Sequence, residues 1–183
     1  MKRLLFSFFA VITALFPLFF DGCVDSANTR YTRVGDRIGF PSNAVFWDYS
    51  ADTIVTVPDN CCKIVCYVDS SGCTNCRVKF AAWTRFSERI EEKYGNSVMC
   101  LFVFNPRSGF DTYGYFRTRR FYIPVFTDTF GLFGKMNKIK PSANLSTQTM
   151  LLSAEDSIIL MGNPIISSAM EQSYLSALDS MTD

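Results

Sequence analysis

Lys63-Ile64-Val65-Cys66-Tyr67-Val68-Asp69, then Ser70-Ser71-Gly72, then Cys73-Thr74-Asn75-Cys76-Arg77 is the stretch that decides the fold. Its first seven residues form a β-branched, apolar run of the kind buried on both faces of a sheet. Ser70-Ser71-Gly72 breaks that run. Residues 74–94 then keep a helical period, with Val78, Ala82, Phe86 and Ile90 at four-residue steps and Trp83 beside them, until Gly95-Asn96 ends it. The pair Cys73 and Cys76 therefore sits where a buried strand hands over to a helix.

Downstream, Ser97 to Phe104 is a second buried run, stopped by Asn105-Pro106. Residues 108–121 are amphipathic and read as a helix containing Gly109 and Gly114. Tyr122 to Phe126 is a short strand whose Pro124 argues for an edge position or a strand start. Phe130 to Ile139 reads as a short helix. Thr149-Met150-Leu151-Leu152-Ser153 and Ser157-Ile158-Ile159-Leu160-Met161-Gly162, joined by Ala154-Glu155-Asp156, read as an antiparallel hairpin. Residues 167–181 close the chain as an amphipathic helix. This order predicts an α/β fold, a central mixed sheet with flanking helices: parallel with right-handed crossovers early, antiparallel at the hairpin.

Upstream, residues 24–58 begin polar and become short alternating stretches such as Ile54-Val55-Thr56-Val57, punctuated by Gly35, Gly39, Pro41 and Pro58. They read as a linker and a short β-rich extension. Met1-Lys2-Arg3 followed by the uncharged run Leu4 to Phe20 has the make-up of an export signal, with an uncleaved anchor helix as the competing reading. Phe20-Asp21-Gly22-Cys23 resembles the lipobox of bacterial lipoproteins, although Phe20 and Asp21 depart from its usual residues. That resemblance implies lipidation of Cys23 and a membrane-anchored protein of the cell envelope, facing the periplasm or the exterior. The expected organisation is a signal peptide over 1–22, a lipid-anchor linker and β extension over 23–58, and an α/β domain over 59–183.

The remaining charges balance once Lys2, Arg3 and Asp21 leave with the signal, so nothing recommends a nucleic acid partner. The densest basic group, Arg117, Arg119 and Arg120, reads as a solvated helix end. The chain has no histidine, which excludes a Ser-His-Asp triad, imidazole acid–base catalysis and histidine metal sites. Cysteine is the reactive group that is left. Apart from Cys23 there are Cys61, Cys62, Cys66, Cys73, Cys76 and Cys100. Cys66 and Cys100 fall inside buried runs and read as small core hydrophobes. Cys61 and Cys62 either pair with the N-terminal segment or stay free. A zinc site from Cys61, Cys62, Cys73 and Cys76 fits by ligand type but not by spacing, so no metal and no cofactor are expected.

Two cysteines three positions apart at a helix start can close a small disulfide ring. Unpaired N–H groups and the helix dipole favour a thiolate at the first of them. Cys73 is accordingly the expected nucleophile and Cys76 the resolving residue, with Thr74 and Asn75 tuning the potential between them. From about residue 59 onward, Cys-x-x-Cys after the first core strand and the terminal hairpin Gln148 to Pro164 resemble a thioredoxin-like fold. They are similar to redoxin-like envelope lipoproteins of Bacteroides type and, more distantly, to TlpA-like thiol–disulfide oxidoreductases. The resemblance implies exchange with protein disulfide or dithiol substrates, replenished by a membrane redox donor. The pattern departs from that family at three places. Gly72 replaces the aromatic before the first cysteine, and Tyr67 falls where thioredoxin has a buried acid, with Asp69 nearby at the strand's exit. Ser146-Thr147-Gln148-Thr149 replaces the stretch holding a cis-proline. Thr147 and Gln148 are then expected in the loop facing the dithiol.

Two other readings compete. Ser70, three residues before Cys73, imitates a peroxiredoxin motif, but Cys66 stands where that motif has proline and no arginine can be assigned to polarise a peroxide. The third reading is a non-catalytic interaction lipoprotein in which Cys73–Cys76 is only a clasp.

Overall fold

The computed structural model describes residues 30–69, 78–140 and 148–182. The expected α/β architecture is present. In chain order the described elements are β1 (Phe46–Asp48), β2 (Thr53–Val55), β3 (Cys62–Val68), α1 (Phe80–Tyr94), a 3-10 turn (Gly95–Ser97), β4 (Val98–Phe104), α2 (Thr112–Arg117), β5 (Val125–Thr127), α3 (Leu132–Met136), β6 (Thr149–Leu152), β7 (Ile158–Met161) and α4 (Ser168–Thr182). The strands make one mixed sheet in the order β2-β1-β5-β4-β3-β6-β7. β3, β4 and β5 run parallel, while β1 joins β5, β6 joins β3 and β7 joins β6 antiparallel. Among the described residues no helix is long and apolar enough to cross a membrane.

β3 is buried along its whole length, and its alternation divides the core in two. Ile64, Cys66 and Val68 face one cluster with Cys100, Phe102 and Phe104 of β4, and with Trp83, Phe86 and Ile90 of α1 and Tyr174 and Leu178 of α4. Val65 and Tyr67 face the other, with Leu101, Val103, Phe126, Phe133 and Ile38. Side chains that alternate across a pleated strand have to be apolar on both sides when helices or loops cover both faces. On the first face α1 and α4 are also tied by charge: Lys93 lies 2.6 Å from Asp179, whose other neighbour is the Tyr94 hydroxyl at 2.7 Å. Lys63 is the cation within the buried run of β3. Its Nζ donates to the Cys61 carbonyl at 3.2 Å and lies 2.9 Å from Asp156 in the β6–β7 turn. An ammonium this deeply buried requires such a partner.

The N-terminal extension belongs to the same sheet. β1 and β2 form a hairpin with Asp52 at φ 58° in its turn, and β1 lies directly against β5. Residues 35–38 lace along the far edge, with Gly35 N–H donating to Ile158 and Ile38 N–H donating to Asp156.

Three expected elements differ. The helix expected over 74–94 begins at Phe80. Val78 and Lys79 precede it in non-helical backbone, and Lys79 is the N-cap with ψ 74°. Burial of Val78 in the first core cluster fixes the chain there, and the apolar period alone does not mark the turn that follows. The helix expected over 108–121 shrinks to Thr112–Arg117. Gly109 takes φ 75° before it and Arg120 takes φ 49° after it, so left-handed residues cut both ends. The strand expected over 122–126 starts at Val125, immediately after Pro124, and lies inside the sheet. Of the two options proline allowed, the strand start is the one observed.

Candidate functional site

The three parallel strands all end on one side of the sheet, and their ends are bonded to one another. Asn105, one residue past β4, donates its backbone N–H to the Val68 carbonyl at 2.9 Å and its amide Nδ2 to the Asp128 carbonyl at 2.8 Å. Asp128, one residue past β5, is buried and donates its own N–H to the Phe104 carbonyl. Its carboxylate accepts the N–H groups of Leu132 and Phe133 at 2.8 Å each, satisfying the free donors at the start of α3. Asn105 and Asp128 thus hold the carboxyl edge of the sheet rigid. In open α/β sheets the crevice beyond that edge is where ligands and reactive groups collect.

β3 ends there in Tyr67 and Val68, with Asp69 directly after it. Tyr67 is buried on the second face, with its ring 5.6 Å from that of Phe133. Its hydroxyl passes so close to Gly134 of α3 that a Cβ on that glycine would stand 2.4 Å from the oxygen, which is why the helix carries no side chain at that point. Burial, followed by the charges of Asp128 and then Asp69, pushes the phenol up to about 12. Tyr67 is therefore a protonated hydroxyl at neutral pH.

Asp69 is the last described residue before the link that carries the dithiol. It is buried, and it accepts a 2.6 Å hydrogen bond from Nε2 of Gln148, which is itself fully buried. Gln148 also accepts the Tyr67 backbone N–H on its carbonyl at 2.8 Å. The next residue, Thr149, donates its hydroxyl to the Cys66 sulfur at 3.6 Å. The strand's exit and the residue preceding the hairpin are therefore fastened together by a charge-assisted bond in a dry environment.

Of the expected site residues, Gln148 lies within this arrangement. Cys73, Cys76, Thr74, Asn75, Thr147 and Cys23 lie outside the described residues, as does Ser70. The structure gives the two ends of the link that holds the dithiol: Asp69 at the carboxyl end of β3, and Val78 with Lys79 ahead of α1. α1 begins at Phe80, after Val78 and Lys79 in non-helical backbone, which corrects the expectation of one continuous helix over residues 74–94. Asn105 and Asp128 are not singled out by the sequence motifs. Their signal is a polar residue shortly after each predicted parallel strand.

The other described cysteines, Cys61, Cys62, Cys66 and Cys100, are all buried. Burial raises the thiols of Cys61 and Cys62, the nearby Lys63 charge only partly opposing it. Burial pushes Cys100 up to about 12, against a hydrogen bond with Ser87 that pulls the other way. Such thiols are poor nucleophiles near neutral pH.

These shifts have a consequence for stability. Cys100 moves from 9.0 to about 12, and Tyr67 and Tyr122 from 10.0 to about 12, each chiefly through burial. The folded chain keeps these protons in a range where the unfolded chain has released them, so stability is intact below about 9 and falls as pH rises towards about 12. Urea midpoints measured across that window should decline, and Cys100→Val should flatten the first part of the decline. A midpoint constant to about pH 11 would contradict the assignment.

No family model matches the chain, and no curated protein matches it in sequence. Solved structures match its fold. A Chlorobium tepidum protein assigned as thiol:disulfide interchange protein DsbE superposes with a TM-score of 0.58 at 17% identity, over 80% of this chain and 99% of that one. A cysteine-to-serine mutant of PrxQ from Xylella fastidiosa gives 0.56 at 13%, over 84% and 99%. A Bacteroides thetaiotaomicron protein assigned as a protein disulfide isomerase gives 0.51 at 11%, over 82% and 91%. The chain is similar to all three in fold, and that fold is thioredoxin-like.

Proposed function

We propose that the protein is an envelope thiol–disulfide oxidoreductase working through Cys73 and Cys76, tethered to a membrane by lipid on Cys23. The observation that carries the reading is the position of the link: in a thioredoxin-like sheet, the residues between Asp69 and Val78 join the carboxyl end of the central strand β3 to α1, and both cysteines lie on it. The Cys73 thiolate attacks one sulfur of a partner disulfide; that S–S bond breaks, a mixed disulfide forms, and the partner's other sulfur leaves as a thiolate. Cys76, after losing its proton, attacks the Cys73 sulfur. This closes the Cys73–Cys76 disulfide and releases the partner's second thiol, so two electrons pass from the dithiol to the partner. A dithiol donor at the membrane restores the reduced pair.

The test is to equilibrate the purified chain in glutathione buffers of graded potential, quench by alkylation and map the modified cysteines by mass. Cys73 and Cys76 are expected to change together with one midpoint, while Cys61, Cys62 and Cys100 stay reduced throughout. A Cys73–Cys76 pair that stays oxidised in the folded protein under strong reductant sinks the proposal. The midpoint also decides whether the protein reduces or oxidises its partners. Because peroxiredoxin-type structures share the fold, the same preparation is assayed with hydrogen peroxide. Fast sulfenic acid formation at Cys73 would move the reading to peroxide reduction.

A further inference from the structure

We infer that the surface around α3 docks on an anionic lipid bilayer, an inference that rests on the proposed lipid tether and orients the protein on the membrane it reaches. Two segments make this surface, residues 31–38 and 130–140. They meet where the Thr32 N–H donates to the Lys138 carbonyl at 3.2 Å and the Lys140 ammonium lies 5.9 Å from the centroid of the Tyr31 ring. Lys138, at φ 50°, turns the chain away from α3, and its N–H donates to the Lys135 carbonyl. The two segments carry five cations and one acid, Asp36, whose carboxylate accepts the Arg33 N–H at 3.1 Å. Arg37 is bridged to Ser157 beside Glu155 and Asp156, so its charge is answered there. The other four, Arg33, Lys135, Lys138 and Lys140, are exposed, and among the described residues none of them has an ion-pair partner. Lys135 donates to the uncharged Phe130 carbonyl at 3.0 Å.

Apolar side chains stand exposed among these cations. Tyr31 and Val34 belong to the first segment; Phe130, 74% exposed, and Leu132 and Met136, one turn apart on α3, belong to the second. A dissolved polyanion would satisfy the ammonium groups and leave those side chains in water. A bilayer answers both: anionic headgroups meet the cations, and the apolar tips enter the boundary with the acyl chains. The chain itself brings this surface to the membrane. Tyr31 follows Cys23 by eight residues, which span at most roughly 29 Å in any conformation. Docking has a consequence for the redox reading. The Asp128 carboxylate caps the start of α3, and the Asp128 N–H is bonded to the end of β4. A docked α3 therefore holds the carboxyl edge of the sheet at a fixed height above the bilayer, within reach of a membrane donor.

The test separates docking from tethering. Phe130→Trp is placed in the full chain, and its added emission is followed with vesicles whose phospholipids carry bromine on their acyl chains. Vesicles containing phosphatidylglycerol should quench it at a lipid concentration about tenfold or more below that needed with phosphatidylcholine alone, and the difference should collapse at high salt. Lys138→Glu combined with Lys140→Glu should erase the preference. Arg33→Glu with Lys135→Glu, which leaves the turn after α3 intact, should weaken it in part and serves if the first pair misfolds. Equal quenching by the two lipids, no quenching, or a preference untouched by salt and by both pairs overturns the inference. So does tighter binding of a Glu-rich peptide or an oligonucleotide than of the anionic vesicles at equal charge concentration. Flotation of the cell-made chain beside its Cys23→Ser variant reads the tether by itself. A chain that floats without quenching keeps the tether and loses the docking. If the two float alike, the tether reading falls, and quenching by added anionic vesicles still decides the docking.

Discussion

Cys73→Ser is expected to bring catalysed reduction of insulin disulfides down to the rate of dithiothreitol alone, a loss of roughly a thousandfold or more if Cys73 is the attacking sulfur. The paired variant separates mechanism from damage. Cys76→Ser keeps the attacking thiolate and lacks the resolving one, so it should accumulate a mixed disulfide with substrate that survives acid quenching and is released by reductant. Cys73→Ser should trap none. The described cysteines give little cover for an alternative nucleophile. Cys61 and Cys62 are buried with raised pKa values, and Cys100 is pushed up to about 12. None of these three carries appreciable thiolate near pH 7. Retention of half the activity in Cys73→Ser, or a mixed disulfide trapped equally by both variants, would place the chemistry elsewhere. Loss of catalysis without any trapped species in Cys76→Ser would favour the clasp over the exchange site.

The order of elements is readable because each core segment carries one clear period. Lys63 to Val68 is apolar at nearly every position and is a strand buried on both faces, as is Val98–Phe104. Met150 to Leu152 and Ile158 to Met161, with a polar turn between them, form the expected hairpin. The boundaries that differ are set by backbone features that apolar periodicity does not encode. Lys79 turns out of the helical region while Val78 on one side and Phe80 on the other remain apolar, so the period runs on through a break in the helix. Arg120, at φ 49°, ends the second helical segment without a glycine to announce it. Pro124 is informative because its missing N–H is a covalent fact that no context overrides.

At the site, Cys73-Thr74-Asn75-Cys76 is a sequence motif outside the described residues, and the partnership between Gln148 and Asp69 is not visible in the sequence. These residues lie far apart in the chain and meet because β6 runs antiparallel to β3, a pairing that only the strand register reveals. Tyr67 is visible in the sequence as a departure from a family pattern. Its state as a buried, protonated hydroxyl follows from Gly134 and Phe133, on a helix that comes close only once the second face is closed. The arginines around α2 are exposed, as a solvated helix end would be, and Arg119 also lies on Tyr115 and Phe80. Charge counting along the chain sees neither that aromatic support nor the engagement of Asp52 and Asp111.

Trp83→Ala is expected to lower the free energy of unfolding by about 3–5 kcal/mol, a large share of the roughly 5–15 kcal/mol that holds a domain folded. Trp83 is fully buried on the face of α1 turned towards the sheet, with its ring edge-on to Phe102 of β4 at 5.0 Å and to Phe86 at 5.8 Å. Phe102 in turn meets Phe121 edge-on at 4.9 Å, and Phe121 meets Phe80 at the same distance. Truncating the indole therefore removes the largest side chain of the first cluster and leaves a cavity that rigid rings cannot collapse into. Trp83→Phe should cost much less, about 1–2 kcal/mol, for two reasons. It keeps most of the volume, and it deletes Nε1, which is buried without a hydrogen-bond partner and whose desolvation already works against the fold. Urea denaturation at a constant m-value measures both differences, and the ratio between them is the discriminating quantity. If Trp83→Ala costs less than about 1 kcal/mol, the packing of α1 on β4 is not what fixes the helix beyond the dithiol link. If Trp83→Phe costs as much as Trp83→Ala, the indole N–H has a partner in solution and the core at this point is wetter than the ring contacts imply.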